Sequence, residues 1–260
     1  MLPIENRATG VVLFDDAEGV RTITLNRPKC LNAIDMAMIL ELEEAVTSAQ
    51  RAEHVSVLLL RGAGRAFCAG DDVTAQSEIC ERGENALREQ LRHLQAISEM
   101  LTLGDKIAVA EVRGWAIGAG FSWALNCDFR IWSESARACF PEAGFGSFVT
   151  GGATCLLPHL IGPAPASELL FLGTRVDALS APRGLVHAVH PEEQTQDATL
   201  QLARQLARLP QPAAREMKRA LVAGIETDFR AALLREIEAC VATTLEPGTL
   251  ARMRASIDKA

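Results

Sequence analysis

The chain has 260 residues, of which 48% are apolar, and a net charge of −7. This length and composition suffice for one large hydrophobic core, or for a core with a helical appendage. The acidic balance and the absence of a basic run argue against a nucleic-acid partner, since phosphate binding requires a basic face. No apolar stretch approaches the ~20 residues of a membrane span, and the N-terminus lacks the pattern of a secretory signal, so we expect a cytoplasmic protein with no membrane partner.

The seven cysteines are scattered along the chain without a C-x-x-C pair, and the five histidines lie outside recognisable catalytic motifs. An odd number of cysteines without paired spacing is typical of reduced thiols that fill small apolar spaces, not of disulfides or a zinc site. The sequence therefore predicts no metal centre and no permanently bound cofactor.

Strands and helices alternate along the first half of the chain. Hydrophobic periodicity predicts, in chain order, a hairpin over 11–26, a helix over 34–50, a strand over 55–60, a helix with leucines between 87 and 101, a strand over 107–112, a helix over 120–126 and a strand over 128–133. This order implies an α/β fold with a mainly parallel sheet flanked by helices. From about residue 195 the pattern is helical, with breaks at Pro210, Pro212 and near Thr227.

Two glycine-rich turns follow apolar strands, at 64–72 (GRAFCAGDD) and 112–120 (VRGWAIGAG). Gly118 and Gly120 allow a tight turn and a close approach to a ligand, and the apolar residues after them continue as a helix. Unpaired N–H groups at that helix start would point toward developing negative charge. A glycine-rich turn taken alone is more often a plain connection, and neither turn matches a phosphate-binding loop. Together they could supply one N–H each to a single oxygen, which is the outline of an oxyanion hole and of chemistry on a carbonyl.

A third segment, FPEAGFGSFVTGGAT at 140–154, places Glu142 among apolar residues just after a strand. Phe140, Ala143 and Phe145 would raise the pKa of that carboxyl by desolvation, which suits a group that moves protons near neutral pH. The alternative role for a lone glutamate in an apolar setting is a structural ion pair.

Five segments resemble, in order, the motifs of the enoyl-CoA hydratase/isomerase family, also called the crotonase superfamily: LNRPKCLNA (25–33), GRAFCAGDD (64–72), VRGWAIGAG (112–120), LNCD (125–128) and FPEAGFG (140–146). The resemblance covers residues 10–191. It implies a crotonase-like spiral of ββα repeats over 1–195 that carries the acyl-CoA site. It also implies a helical C-terminal region over 196–260, which covers part of the site and builds a homotrimer or homohexamer. The substrate would be a coenzyme A thioester.

The resemblance assigns a role to each part of the site. It implies an oxyanion hole formed by the backbone N–H groups of Asp71 and Ala119, in which the side chain of Asp71 need not take part. Each such donor typically lowers the barrier by about 3–4 kcal/mol. Glu142 would act as the base at C2, next to the thioester carbonyl. Arg65 would border the CoA moiety, and the substrate-binding positions are Arg27, Lys29, Cys30, Ala69, Gly70, Asp72, Gly118 and Gly120.

Ser122 stands where hydratases of the family carry a second glutamate. Hydration is easiest with two carboxylates, whereas a proton shift between C2 and C4 requires one, and the family's Δ3-Δ2 isomerases retain only the glutamate matched by Glu142. The sequence therefore predicts an isomerase in which Ser122 orients a water or substrate, or is simply an N-terminal helix residue. Two alternatives are a hydratase that uses Glu142 with a water near Ser122, and a non-catalytic acyl-CoA-binding or scaffold member.

Two other positions depart from the family pattern. Thr150 falls where several members place a catalytic aspartate, which excludes an aspartyl ester there. Near the C-terminus, Ala255 stands where the family often has a CoA-binding lysine, and Arg252 and Arg254 are the candidates to replace it.

Overall fold

The computed structural model describes residues 6–257 and, within that range, ten strands: β1 (Asn6–Arg7), β2 (Val12–Ala17), β3 (Val20–Leu25), β4 (Val57–Gly62), β5 (Ile107–Val112), β6 (Trp115–Ile117), β7 (Phe129–Ser133), β8 (Arg137–Cys139), β9 (Val176–Asp177) and β10 (Ala188–His190). Its α-helices are α1 (Met36–Arg51), α2 (Val73–Glu81), α3 (Glu84–Leu103), α4 (Ala119–Leu125), α5 (Glu142–Phe145), α6 (Ala153–Ile161), α7 (Pro163–Leu172), α8 (Glu192–Ala207), α9 (Gln211–Ala223), α10 (Glu226–Thr244) and α11 (Thr249–Ile257).

The main sheet has seven strands in the order β1-β2-β3-β4-β5-β7-β10. The predicted hairpin is confirmed, because β2 and β3 pair antiparallel with Ala17 opposite Val20. Glu18 and Gly19 form its turn with φ angles of 53° and 80°, as a two-residue hairpin loop with right-handed strand twist requires. From β3 onward neighbouring strands are parallel, which confirms the mainly parallel sheet of an α/β fold.

Helices cover both faces of this sheet, which explains why its central strands β4 and β5 are mostly apolar on both faces. Side chains alternate along β4, so that Leu58 and Leu60 face the larger core while Val57 and Leu59 face the smaller one. Helices α1 and α3 pack on the side of the larger core, and α8 packs across β3, β4, β5 and β7 on the other. The centre of the sheet is thereby buried on both faces. Strands β4 and β5 end at Gly62 and Val112, and the two glycine-rich turns follow them.

A second sheet, β6-β8-β9, was not predicted. Strand β6 leads directly into α4, and the parallel strand β8 leads, across Phe140 and Pro141, into α5. The small sheet therefore sets the start of α5 beside the start of α4. These strands have two or three residues each, which is too short for a periodic signal.

The predicted C-terminal helices form as α8, α9 and α10, and α10 packs against α3 and α6. The break expected near Thr227 lies instead at Gly224 and Ile225, because α10 already begins at Glu226. Among the described helices, none combines the length and the apolar character needed to cross a membrane.

Candidate active site

The two glycine turns lie side by side. Cys68 N donates to Trp115 O and Ile117 N donates to Cys68 O, both at 2.9 Å, so that the first turn runs along β6. Gly70 has a φ of 81°, and a Cβ there would lie only 2.8 Å from Ile117 O. Only glycine satisfies both conditions. Asp71 thereby follows a residue that is packed directly on the end of β6.

The second turn presents an open helix start. Gly118 has φ 53° and ψ −126°, a conformation that favours glycine, and it is the N-cap of α4. Ala119 is the first residue of that helix, where backbone N–H groups have no intrahelical acceptor. Within the described part of the chain, neither Ala119 N nor Asp71 N donates a backbone hydrogen bond outside regular helices and strands. Both amides expected in the oxyanion hole are therefore free to donate to a ligand.

Glu142 is held against the second turn at the first position of α5. A Cβ placed on Gly118 would collide with Glu142 Oε1, while Oε2 is buried and has no hydrogen-bond partner among the described residues. Burial, with a smaller contribution from the nearby Asp71 carboxyl, raises the pKa of Glu142 to about 8. Glu142 forms none of the ion pairs found in the described range, which argues against a structural ion pair. It is a carboxyl able to hold or release a proton near neutral pH.

Asp71 brings a second carboxyl to the same place, which sequence reasoning did not assign. Its Oδ1 is buried and, over the residues that the structure describes, has no hydrogen-bond partner. Burial raises the pKa of Asp71 to about 6, with a smaller contribution from Asp72. The sequence signal for this second carboxyl was the pair of consecutive aspartates, Asp71 and Asp72. Asp72 is used locally, since its Oδ1 accepts from Thr74 N and Ala75 N at 3.2 and 3.4 Å and caps α2, whereas Asp71 has no such local role.

Ser122 is buried in the first turn of α4, and its hydroxyl donates to Thr150 O at 2.7 Å. Its proton is therefore engaged in linking α4 to the segment before α6. The hydroxyl retains acceptor capacity only, and Thr150 is itself buried. An orienting role for Ser122 toward water or substrate stays a prediction.

The basic residues expected near CoA have different surroundings. Arg27 is an internal link, with Nη2 3.1 Å from Asp72 Oδ2 and Nη1 3.3 Å from Asp35 Oδ2. Lys29 and Arg65 are exposed, and neither is in an ion pair within the described range. Their loops meet where Gly64 packs on Pro28, since a Cβ on that glycine would lie 2.9 Å from Pro28 Cβ. These two exposed cations are the better placed to meet phosphate groups.

The remaining predicted binding positions shape the backbone around the turns. Ala69 N donates to Leu31 O at 3.0 Å, and Cys30 Sγ donates to Arg27 O at 3.4 Å. A Cβ on Gly120 would lie 2.5 Å from Cys68 Sγ, so this glycine permits close packing of α4 on the first turn. Their direct contact with substrate stays a prediction.

The two C-terminal arginines join the last helix to the site. Arg252 Nε donates to Phe145 O at 2.6 Å, at the end of α5, and its Nη2 donates to Thr249 Oγ1 at 2.9 Å. Arg254 Nε donates to Ser77 Oγ on α2 at 3.2 Å. Helix α11 is thus hydrogen-bonded to α5, which begins at Glu142, and to α2, which follows the first glycine turn.

Comparison with known proteins agrees with this arrangement. The family described as enoyl-CoA hydratase/isomerase matches residues 15–246. A crotonyl-CoA hydratase of Syntrophomonas wolfei is 31% identical over 237 residues, which cover 89% of this chain and 90% of that protein. The 2,3-dehydroadipyl-CoA hydratase of Escherichia coli is 34% identical over 220 residues, covering 84% of each chain.

A crystal structure of an enoyl-CoA hydratase/isomerase from Xanthobacter autotrophicus Py2 superposes with a TM-score of 0.89 at 32% identity and covers 97% of both chains. The resemblance noted in the motifs is thereby confirmed over nearly the whole described chain. The chain belongs to the enoyl-CoA hydratase/isomerase family and has its crotonase-type α/β fold.

Proposed function

We propose that this chain acts on an enoyl-CoA thioester through an enolate. The thioester oxygen accepts hydrogen bonds from Asp71 N and Ala119 N, and the charge that develops on that oxygen makes the proton at C2 acidic. The support for this proposal is the pair of free amides on adjacent turns. The chain contributes these donors, a proton-transfer group and a binding surface, and it requires no permanently bound cofactor for this chemistry.

The reaction we propose first is the Δ3-Δ2 isomerisation of an enoyl-CoA. One carboxylate takes the proton from C2 and returns it to C4 on the same face, or the reverse, so that a single base suffices. The observation that carries this proposal is Glu142, whose Oε2 is buried without a partner while its Oε1 lies against Gly118. Ser122 supplies no carboxylate, and its hydroxyl proton is used by Thr150 O.

Hydration of a 2-enoyl-CoA is the second candidate. It is favoured by the activities for which several relatives are named, including the crotonyl-CoA hydratase and the 2,3-dehydroadipyl-CoA hydratase. Hydration requires a group that holds water at C3 in addition to an acid at C2. A water near Ser122 was the sequence-based candidate for that position.

One coupled assay separates these reactions. Purified protein is given a 3-enoyl-CoA and, separately, a 2-enoyl-CoA, and Glu142→Gln is compared with Glu168→Gln, an exposed glutamate on α7. Glu142→Gln is expected to lose at least about 10²-fold in isomerisation turnover, which is the lower end of what a general base contributes. Glu168→Gln is expected to behave like the wild type.

Full activity in Glu142→Gln would reject this residue as the proton-transfer group. A wild-type protein that binds acyl-CoA but turns over neither substrate would instead support the non-catalytic alternative.

A further inference from the structure

We infer that the carboxylate of Asp71 is a second proton-transfer group, which takes the proton of a water adding at C3 of a 2-enoyl-CoA while Glu142 protonates C2. This inference rests on the proposed role of Glu142. It gives the site a hydratase activity beside the isomerase activity, without the family's second glutamate and without Ser122.

Both carboxyl groups flank the same turn. Asp71 follows Gly70, which packs on the carbonyl of Ile117, the residue immediately before Gly118. Glu142 approaches Gly118 itself through Oε1. Ile117 and Gly118 are the two residues that precede α4. Asp71 follows the glycine that packs on Ile117, and Glu142 contacts Gly118. A thioester whose oxygen reaches Ala119 N would have its C2 and C3 near this point.

Each carboxyl also has one buried oxygen without a partner among the described residues, Asp71 Oδ1 and Glu142 Oε2. Buried polar atoms in folded proteins are nearly always hydrogen-bonded, and an unsatisfied one lowers stability by about 1–3 kcal/mol. The neighbouring Asp72 has a cap and an ion pair. Asp71 is also close enough to Glu142 to raise its pKa, so these two unpartnered carboxyl oxygens are better explained by a polar ligand at this site than by the fold.

The different pKa values of Asp71 and Glu142 give the two carboxyl groups different roles. Burial, with a smaller contribution from a neighbouring carboxylate in each case, raises the pKa of Asp71 to about 6 and the pKa of Glu142 to about 8. At pH 7 the predominant state has an ionised Asp71 and a protonated Glu142. That state offers one base and one acid, the combination that the addition of water requires.

The other titratable and charged groups near Asp71 and Glu142 do not change these protonation states at pH 7. Burial raises the pKa of the surrounding thiols, which stay neutral over this range: Cys68, Cys80, Cys139 and Cys240. Asp72 is paired with Arg27. The arginines of α11 donate instead to Phe145 O and Ser77 Oγ.

The step balances without any co-reactant other than water. The water oxygen bonds to C3, the C2=C3 π pair moves into the thioester enolate, and the water proton goes to Asp71. Glu142 then gives its proton to C2, which restores the thioester carbonyl. The site is left with Asp71 protonated and Glu142 ionised, and one proton passes from Asp71 to Glu142 through solvent before the next turnover. Because Asp71 is neutralised as the enolate forms, negative charge does not accumulate beside the oxyanion hole.

The test compares hydration with isomerisation in the same preparations. Asp71→Asn keeps the backbone N–H and the side-chain shape, and it is expected to lower hydration turnover at least about 10²-fold. The ratio of hydration to isomerisation should fall at least 10-fold. Glu78→Gln, which removes an exposed charge from α2, is the matched control and should change neither rate. Thermal unfolding of both variants checks that they fold.

The wild-type pH profile gives a second readout that requires no substitution. Hydration should be bell-shaped in kcat/KM between about pH 6 and about 8, since it requires an ionised Asp71 and a protonated Glu142. Isomerisation should rise through about pH 8, since it requires an ionised Glu142. Asp71→Asn should remove the acid limb of the hydration profile.

The inference is overturned if Asp71→Asn hydrates at the wild-type rate, if wild type isomerises but does not hydrate, or if Ser122→Ala alone abolishes hydration. The proposed function survives each of these results. Glu142→Gln with full activity would reject the proposed function instead.

Discussion

The carboxyl of Glu142 is buried, and its Oε2 has no hydrogen-bond partner among the described residues. Its ionisation therefore affects the stability of the fold as well as catalysis. Burial raises its pKa in the folded protein from 4.5 to about 8, so between these two values the native state binds more protons than the unfolded state. The contribution of this group to the free energy of unfolding therefore falls as the pH rises from 4.5 to about 8. At neutral pH and above, an ionisable Glu142 destabilises the fold.

We accordingly expect Glu142→Gln to raise the melting temperature at pH 8 by a few degrees, because the variant has no carboxyl to ionise. The gain should shrink as the pH falls and disappear below about pH 4.5, where the wild-type group is protonated in both states. Differential scanning calorimetry across this range measures the difference. A variant that is equally stable, or less stable, at pH 8 would show that the carboxyl is solvated in the folded protein.

The two carboxyl groups also differ in how far sequence could predict them. Glu142 was predictable because it stands in a recognisable motif among aromatic residues, and its raised pKa agrees with that expectation. The burial of Asp71 was not predictable. Ile34 pairs with Asp71 and Ile117 lies against Gly70, but both residues are distant from the 68–72 segment in the sequence.

At the scale of elements, the start of α4 carries the proposed oxyanion hole. Ala119→Pro removes one backbone donor at the first helical position, where proline is well tolerated by the helix itself. We expect a loss of about 10²- to 10³-fold in turnover of either substrate, which is the effect typical of one such donor. Ala119→Ser, which keeps the N–H, is the matched control and should stay within a few-fold of wild type.

Steady-state kinetics and a melting curve for both variants make this comparison. A folded Ala119→Pro enzyme with wild-type turnover would show that this amide does not stabilise the transition state.

Long periodic elements were predictable, and short ones were not. Helices α1 and α3 follow from helical spacing, because their apolar side chains face one core. The hairpin follows from alternation, and β4 follows from its continuous apolar run, because it is buried on both faces. Helix α5 has four residues, α6 contains Pro158, and the second sheet has strands of two or three residues. These elements form because tertiary contacts hold them, so their sequences alone carry little periodic information.

At the scale of the whole molecule, the division at residue 195 and the role of 196–260 in assembly stay predictions. Helix α8 packs on the main sheet, but the outer surfaces of α9 and α10 keep large apolar side chains exposed. Met217 and Leu221 on α9 are 66% and 80% exposed, and Leu234 on α10 is 67% exposed. Burial of one such side chain typically contributes about 1.5–3 kcal/mol.

We propose that these side chains are covered by a second copy of the chain in a homotrimer or homohexamer, as the family resemblance implies. Light scattering at micromolar concentration should then give three or six times the 28.0 kDa chain mass. Leu221→Lys places a charge on this surface and should weaken assembly at least about tenfold, which corresponds to about 1.4 kcal/mol. Gln201→Lys adds the same charge to the exposed surface of α8 and should leave the mass unchanged. A monomeric wild type would reject the assembly, and an unchanged mass for Leu221→Lys would move the interface to another surface.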